Sequence, residues 1–156
     1  MSVETASLVP SYVVFQIGTR RVALTREGVA ELIASPILFA FPHTSPLIIG
    51  VVLRRGRLVP VLDLGPGLLG VSSPPARLFL VVERQTLTFT ERCAIPVQGE
   101  CELVAGIMLP LEPQDGYVSG RLELNEEQID VLDLEKAISA GERAVVESMT
   151  PAEALS

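Results

Sequence analysis

"GVVLRRGRLVPVLDL", Gly50 to Leu64, is the stretch on which the fold turns. Two aliphatic runs of strand-forming residues flank Arg54-Arg55-Gly56, and Gly56 can supply the positive φ that a tight hairpin turn requires. Pro60 has no N–H to give a ladder, so it marks an edge strand or a bulge. Arg54, Arg55 and Arg57 fall at the hairpin tip. There their long stems can lie over apolar strands while the charged heads stay in water. Such a cluster is either a solubilised turn or an interface anchor, whose guanidinium groups fork onto a partner's carboxylate or backbone.

The stretch has an echo. "GRLELNEEQIDVLDL", residues 120–134, opens on the same glycine and closes on the same VLDL at an offset of 70. "RVALTREGVAEL" (21–32) aligns with "RCAIPVQGECEL" (92–103) at an offset of 71. Two matches at nearly one offset indicate a duplicated half. Halves made of short strands and Gly/Pro turns read as two small β-barrels, packed together and open to exchanging strands. Two copies are too few for a solenoid.

Outward from the repeats, "YVVFQIGTRRVAL" (12–24) reads as a hairpin about Gly18. Thr25 is a fair N-cap, and Val29, Leu32 and Ile33 at helical spacing predict a helix that Ser35-Pro36 stops. "PILFAFP" (36–42) is a short strand, "GPGLLGVSSPPA" (65–76) a loop, and "RLFLVVER" (77–84) a strand. "LEKAIS" (134–139) opens a closing helix, with Asp133 at its N-cap and Gly141 placed to end it. The expected division is a flexible tail over 1–10, a folded region over 11–140, and a C-terminal tail over 141–156 with room for a short helix.

Composition removes several function classes. The net charge of -7 and the absence of Trp oppose nucleic-acid binding, which wants a basic surface and stacking rings. No apolar run reaches the ~18 residues of a membrane span, and "MSVETASLVPS" has no signal-peptide pattern, so the chain reads as cytoplasmic without direct membrane insertion. Cys93 and Cys101 are then expected as reduced thiols.

The motifs of catalysis are weak. His43, the sole histidine, sits in "FPHTSP" and reads as a loop residue; no Ser or Cys lies in a nucleophile elbow. The Cys93–Cys101 spacing is wrong for a metal site. "GPGLLG" matches a phosphate loop by letter only, since Pro66 removes a backbone donor. Asp63 and Asp133 occupy equivalent places in the halves and read as strand-end caps ahead of an acid–base pair. These residues predict no enzyme and neither cofactor nor metal.

The stretch and its flanks resemble the CheW family of chemotaxis adaptors. That family carries a proline, a short apolar run, then Gly-Val-x-Asn-Leu-Arg-Gly-x-x-x-Pro-x-x-Asp-Leu. Pro46 leads into Gly50 and Val51 at a spacing one residue shorter than the family's, and Arg55, Gly56, Pro60, Asp63 and Leu64 follow at matching steps. "YVVFQIGTRRVALTREGVAEL" (12–32) is similar to the family's opening, and residues 92–107 and 117–138 to its second half, so the resemblance covers about 11–139. It implies a mainly β fold of two intertwined five-stranded SH3-like barrels with short helices. It implies a non-enzymatic adaptor that bridges the cytoplasmic tips of methyl-accepting chemoreceptors to a CheA-type histidine kinase. The receptor's helical hairpin would dock in the groove between subdomains. The kinase's regulatory domain, of the same fold, would pack barrel end to barrel end. By motif match Arg55 and Gly56 belong to the binding site, flanked by Arg54 and Arg57, with Val29 and Glu31 in the same region.

Leu53 and Arg54 stand where the family has Asn and Leu. That departure motivates an alternative, a divergent paralogue that binds one partner and caps or competes within arrays. A small-molecule-binding β-barrel is the other alternative; it needs a pocket with convergent polar groups.

Overall fold

The computed structural model describes residues 9–34, 36–40, 47–85, 88 and 90–148. His43 and Pro46, like residues 1–8 and 149–156 of the two expected tails, lie outside the described residues. In chain order the elements are β1 (Ser11–Ile17), β2 (Arg20–Thr25), a single 3-10 turn (Arg26–Gly28), β3 (Val29–Ala34), β4 (Leu38–Phe39), β5 (Ile48–Arg54) and β6 (Arg57–Leu62). Then come α1 (Gly65–Leu69), β7 (Leu78–Gln85), β8 (Thr90–Ala105), β9 (Leu109–Asp115), β10 (Val118–Leu124), β11 (Glu127–Leu132) and α2 (Leu134–Ser148). The chain is mainly β, as expected.

The duplication is visible strand by strand. The β5–β6 and β10–β11 hairpins have the same strand limits shifted by 70 residues. Both ladders slip at the same place, between Ile48 and Gly50 in one and Val118 and Gly120 in the other. Both are closed by one further backbone bond, from Asp63 N to Leu47 O at 2.9 Å and from Asp133 N to Tyr117 O at 2.8 Å. Each then runs parallel to a partner from the other matched segment, Val61 beside Ala94 and Val131 beside Ala23.

Strand exchange follows from β8. Its first part pairs with β7, from Gln85–Thr90 to Leu78–Val97. Gly99, at φ +68, follows, and the last residues pair with β1, from Val14–Glu102 to Ser11–Ala105. One sheet therefore runs β3-β7-β8-β6-β5-β4 and the other β8-β1-β2-β11-β10-β9. β3 comes from the first half of the chain, yet among the described residues its only ladder is with β7 of the second.

Alternation along the strands then sorts side chains into three cores. Val52, Val59, Val61, Phe79, Val81 and Ala94 fill the concave side of one sheet. Their counterparts Leu122, Ile129, Val131, Tyr12, Val14 and Ala23 fill the other. The opposite faces meet between the sheets, around Phe15, Ile17, Leu80, Val82 and Ile95. Among the described residues, both sheets thus carry apolar side chains packed into buried clusters.

Three sequence expectations are corrected. The helix over 25–34 is a 3-10 turn followed by β3. Val29, Glu31 and Ile33 are the half-buried positions, alternating with exposed Ala30, Leu32 and Ala34. The strand period wins because β7 offers this segment a ladder and no helical groove faces it. The 65–76 loop begins as α1, with Pro66 in its first turn and Gly70 in the left-handed conformation just past its end, the asymmetry that favours a short helix. Gly141 does not end α2, which continues to Ser148. It lies where α2 meets α1: a Cβ on Gly67 would stand 2.8 Å from Gly141 N, and one on Gly141 2.9 Å from a Leu47 methyl. That glycine serves close packing in place of a stop. The Asp133 cap is as expected, its Oδ1 accepting from Lys136 N at 3.1 Å.

Pro60 is accommodated inside β6. It faces Val51, one step from the hydrogen-bonded Val52–Val59 pair, so its nitrogen points away from β5. On that side, among the described residues, β6 pairs with β8 at Val61.

Candidate partner-binding site

The β5–β6 turn is built by Arg55 and Gly56, both at positive φ, +53 and +79, as a type I′ hairpin requires. A Cβ on Gly56 would meet nothing within 4 Å, so its glycine is needed for the backbone alone. The turn lifts three arginines above the sheet, and β3 brings Glu31 to them. Arg54 grips Glu31 with two bonds, Nε to Oε1 at 2.5 Å and Nη2 to Oε2 at 3.3 Å. Arg55 approaches Oε2 only to 3.6 Å, and its side chain is 73% exposed.

These residues edge an open groove of about 850 Å³. Its floor is Val59, Pro60 and Val81, and its far wall Glu83, Glu91 and Arg92. Arg92 reaches Glu83 at 3.4 Å, and Glu91 is held by Arg84 at 3.1 Å. Arg84 also bonds Glu135 of α2 at 2.6 Å, tying the groove's wall to the closing helix. Beside the tip, Leu53 and Leu58 face each other across the hairpin and are exposed. The hydrogen bond from Arg54 holds the Glu31 carboxyl below its ordinary range, opposed by a smaller desolvation effect and aided by the charge of Arg55.

The structure thus gathers Glu31, Arg54, Arg55 and Arg57 in one groove with Gly56 at its lip. Val29 is not in it; it pairs with Val82 and packs on the core between the sheets. Glu83, Glu91 and Arg92 were not anticipated. Their signal is long-range register, Glu83 opposite Arg92 and Arg84 opposite Glu91, which no local motif carries. Asp63 is a buried turn cap, accepting from Gly65 N at 2.8 Å and from Ser73 N. Cys93 and Cys101 are both free thiols, and burial pushes Cys93 up to about 12.

The family model of the CheW-like domain matches residues 11–142. The chain belongs to the CheW-like family. A solved structure similar to it is the scaffolding protein TtCheW of Thermoanaerobacter tengcongensis, with a TM-score of 0.63 at 20% identity over 80% of this chain and 89% of that one. At that identity the likeness establishes a shared fold. No curated protein matches the sequence. The CheW-like domain is a scaffold domain of chemotaxis signalling, and this one carries its arginine-glycine turn at the lip of the groove just described. No described helix is long and apolar enough to cross a membrane.

Proposed function

We propose that this CheW-like chain is a non-enzymatic cytoplasmic adaptor that couples the cytoplasmic tip of a methyl-accepting chemoreceptor to the regulatory domain of a CheA-type histidine kinase, at a chemoreceptor array. The observation that carries the reading is Arg55 and Gly56, matching the family's turn, raised beside Glu31 over an open groove of a CheW-like domain. The apolar surface supports a second contact. Leu32, Ile37 and Phe39 are exposed, and so are their repeat counterparts Leu103, Ile107 and Leu109. A kinase domain of the same duplicated fold has two like surfaces to meet. The packed interiors of both sheets favour an adaptor over a small-molecule barrel.

The test is capture of the purified protein by a CheA-type regulatory domain and by a receptor cytoplasmic hairpin from the same genome. Binding to both is expected. Arg55→Glu should leave the fold intact and weaken the receptor complex by up to ~2 kcal/mol if Arg55 is a hot spot; unchanged affinity in a folded variant removes Arg55 from the site. Leu53 and Arg54 favour a second reading, a paralogue that binds one partner and competes within arrays. Capture by only one partner selects it.

A further inference from the structure

We propose that Arg54 is a built-in counter-ion for Glu31, and that by occupying this carboxylate it leaves Arg55 and Arg57 available to dock a partner segment that carries carboxylates. The inference rests on the adaptor reading and adds the chemistry of the partner and the residue that sets it.

The argument is a pairing of charges around the groove. It is lined by three carboxylates, and each already has an arginine: Glu31 has Arg54, Glu83 has Arg92, and Glu91 has Arg84 from outside the lining. Two lining arginines remain. Arg57 has no ion pair among the described residues, and Arg55 has only a long contact to an oxygen that Arg54 already bonds. A two-pronged grip on a carboxylate is stronger than a single distant approach. Glu31 is therefore held by Arg54, and Arg55 stays mostly in solvent. The lip of the groove offers two cations beside exposed Leu53 and Leu58. A partner segment with acidic side chains next to apolar ones complements it, and a basic segment is repelled. Remove Arg54, and both oxygens of Glu31 are freed for Arg55, which would fold back onto it and withdraw from the lip.

Arg54 is thus a positioning residue, and two measurements test it. The first needs no partner: NMR of arginine Nε–H protection from exchange in the full chain. The wild type should protect the Nε–H of Arg54 and leave that of Arg55 exchanging; Arg54→Leu should shift protection to Arg55. An Arg55 Nε–H that stays unprotected in Arg54→Leu overturns the proposal. The second is affinity for the receptor cytoplasmic hairpin. Arg54→Leu should weaken binding about 10-fold, the scale of a modest hot spot. Arg54→Leu/Glu31→Gln should return to within about threefold of the wild type, because Arg55 is released again. An unrescued double variant overturns the proposal. If the wild type captures no hairpin, the adaptor reading falls, and the exchange measurement still decides what Arg54 does to Arg55.

Discussion

Arg55 and Gly56 show how a turn's backbone demand can be read from letters. Two consecutive positive φ values are adopted with least strain when Gly stands at the second site, and Gly56 stands there. The equivalent turn holds Asn125 at +49 and Glu126 at +67, so the second half keeps the conformation without the glycine. Gly56→Ala should then cost ~1 kcal/mol and Glu126→Gly should stabilise by up to a similar amount. Urea midpoints at constant m check both. Cys93 gives a pH test. Burial favours its neutral thiol, raising it from 9.0 to about 12. The folded state therefore holds this proton more tightly than the unfolded one. The stabilisation is whole below pH 9 and is lost as pH rises from there towards 12. Unfolding free energy should fall between about pH 9 and about pH 12, and less steeply in Cys93→Ala. Cys101, half-buried and shifted the same way, should keep a residual slope in that variant.

At the level of elements, the hairpins were legible and the segments between them were not. Val-rich runs, a two-residue turn and the repeated VLDL identify β5–β6 and β10–β11 from local chemistry alone. β3 was misread because Val29, Leu32 and Ile33 satisfy helical spacing while a charged residue, Glu31, occupies a half-buried strand position. The reason for that glutamate is Arg54, 23 residues away. α1 was hidden by two glycines that lower helix propensity in isolation. Their use appears only in the folded chain: the backbone of residues 71–73 lies against Gly65, and α2 lies against Gly67. That contact predicts an order: Gly67→Ala, whose Cβ would press on the backbone of α2, should destabilise by about 1–3 kcal/mol. Gly141→Ala should cost less, since its Cβ meets the movable end of Leu47 and gains helix propensity. Denaturant midpoints of the two variants make the comparison.

For the whole molecule, the duplication was readable and so was the possibility of exchange, but not which strand crosses. Offsets of 70 and 71 state that there are two halves; only the pairing of β3 with β7 and the reach of β8 show that neither half owns a complete sheet. The candidate site was legible to the same extent. The arginine tip and Glu31 came from one motif and its flank, and the opposite wall came from β7 and β8, distant in sequence. Fragments 9–74 and 75–148, cut in the exposed Pro74-Pro75 loop, should each be largely unfolded alone and regain the native spectrum when mixed. Circular dichroism and amide NMR of each fragment and of the mixture are the check; a fragment that folds alone would contradict the exchange.

The double duty of β8 also sets a timetable for synthesis. As the chain leaves the ribosome, β1 to β6 emerge first, and β3 finds no neighbour until β7 follows. β1 waits longer for its ladder with the end of β8. At ~5–20 residues/s this leaves strand edges and apolar faces uncovered for seconds. The nascent first half is then the stage at which this adaptor is most open to misassociation, before any partner has a surface to recognise.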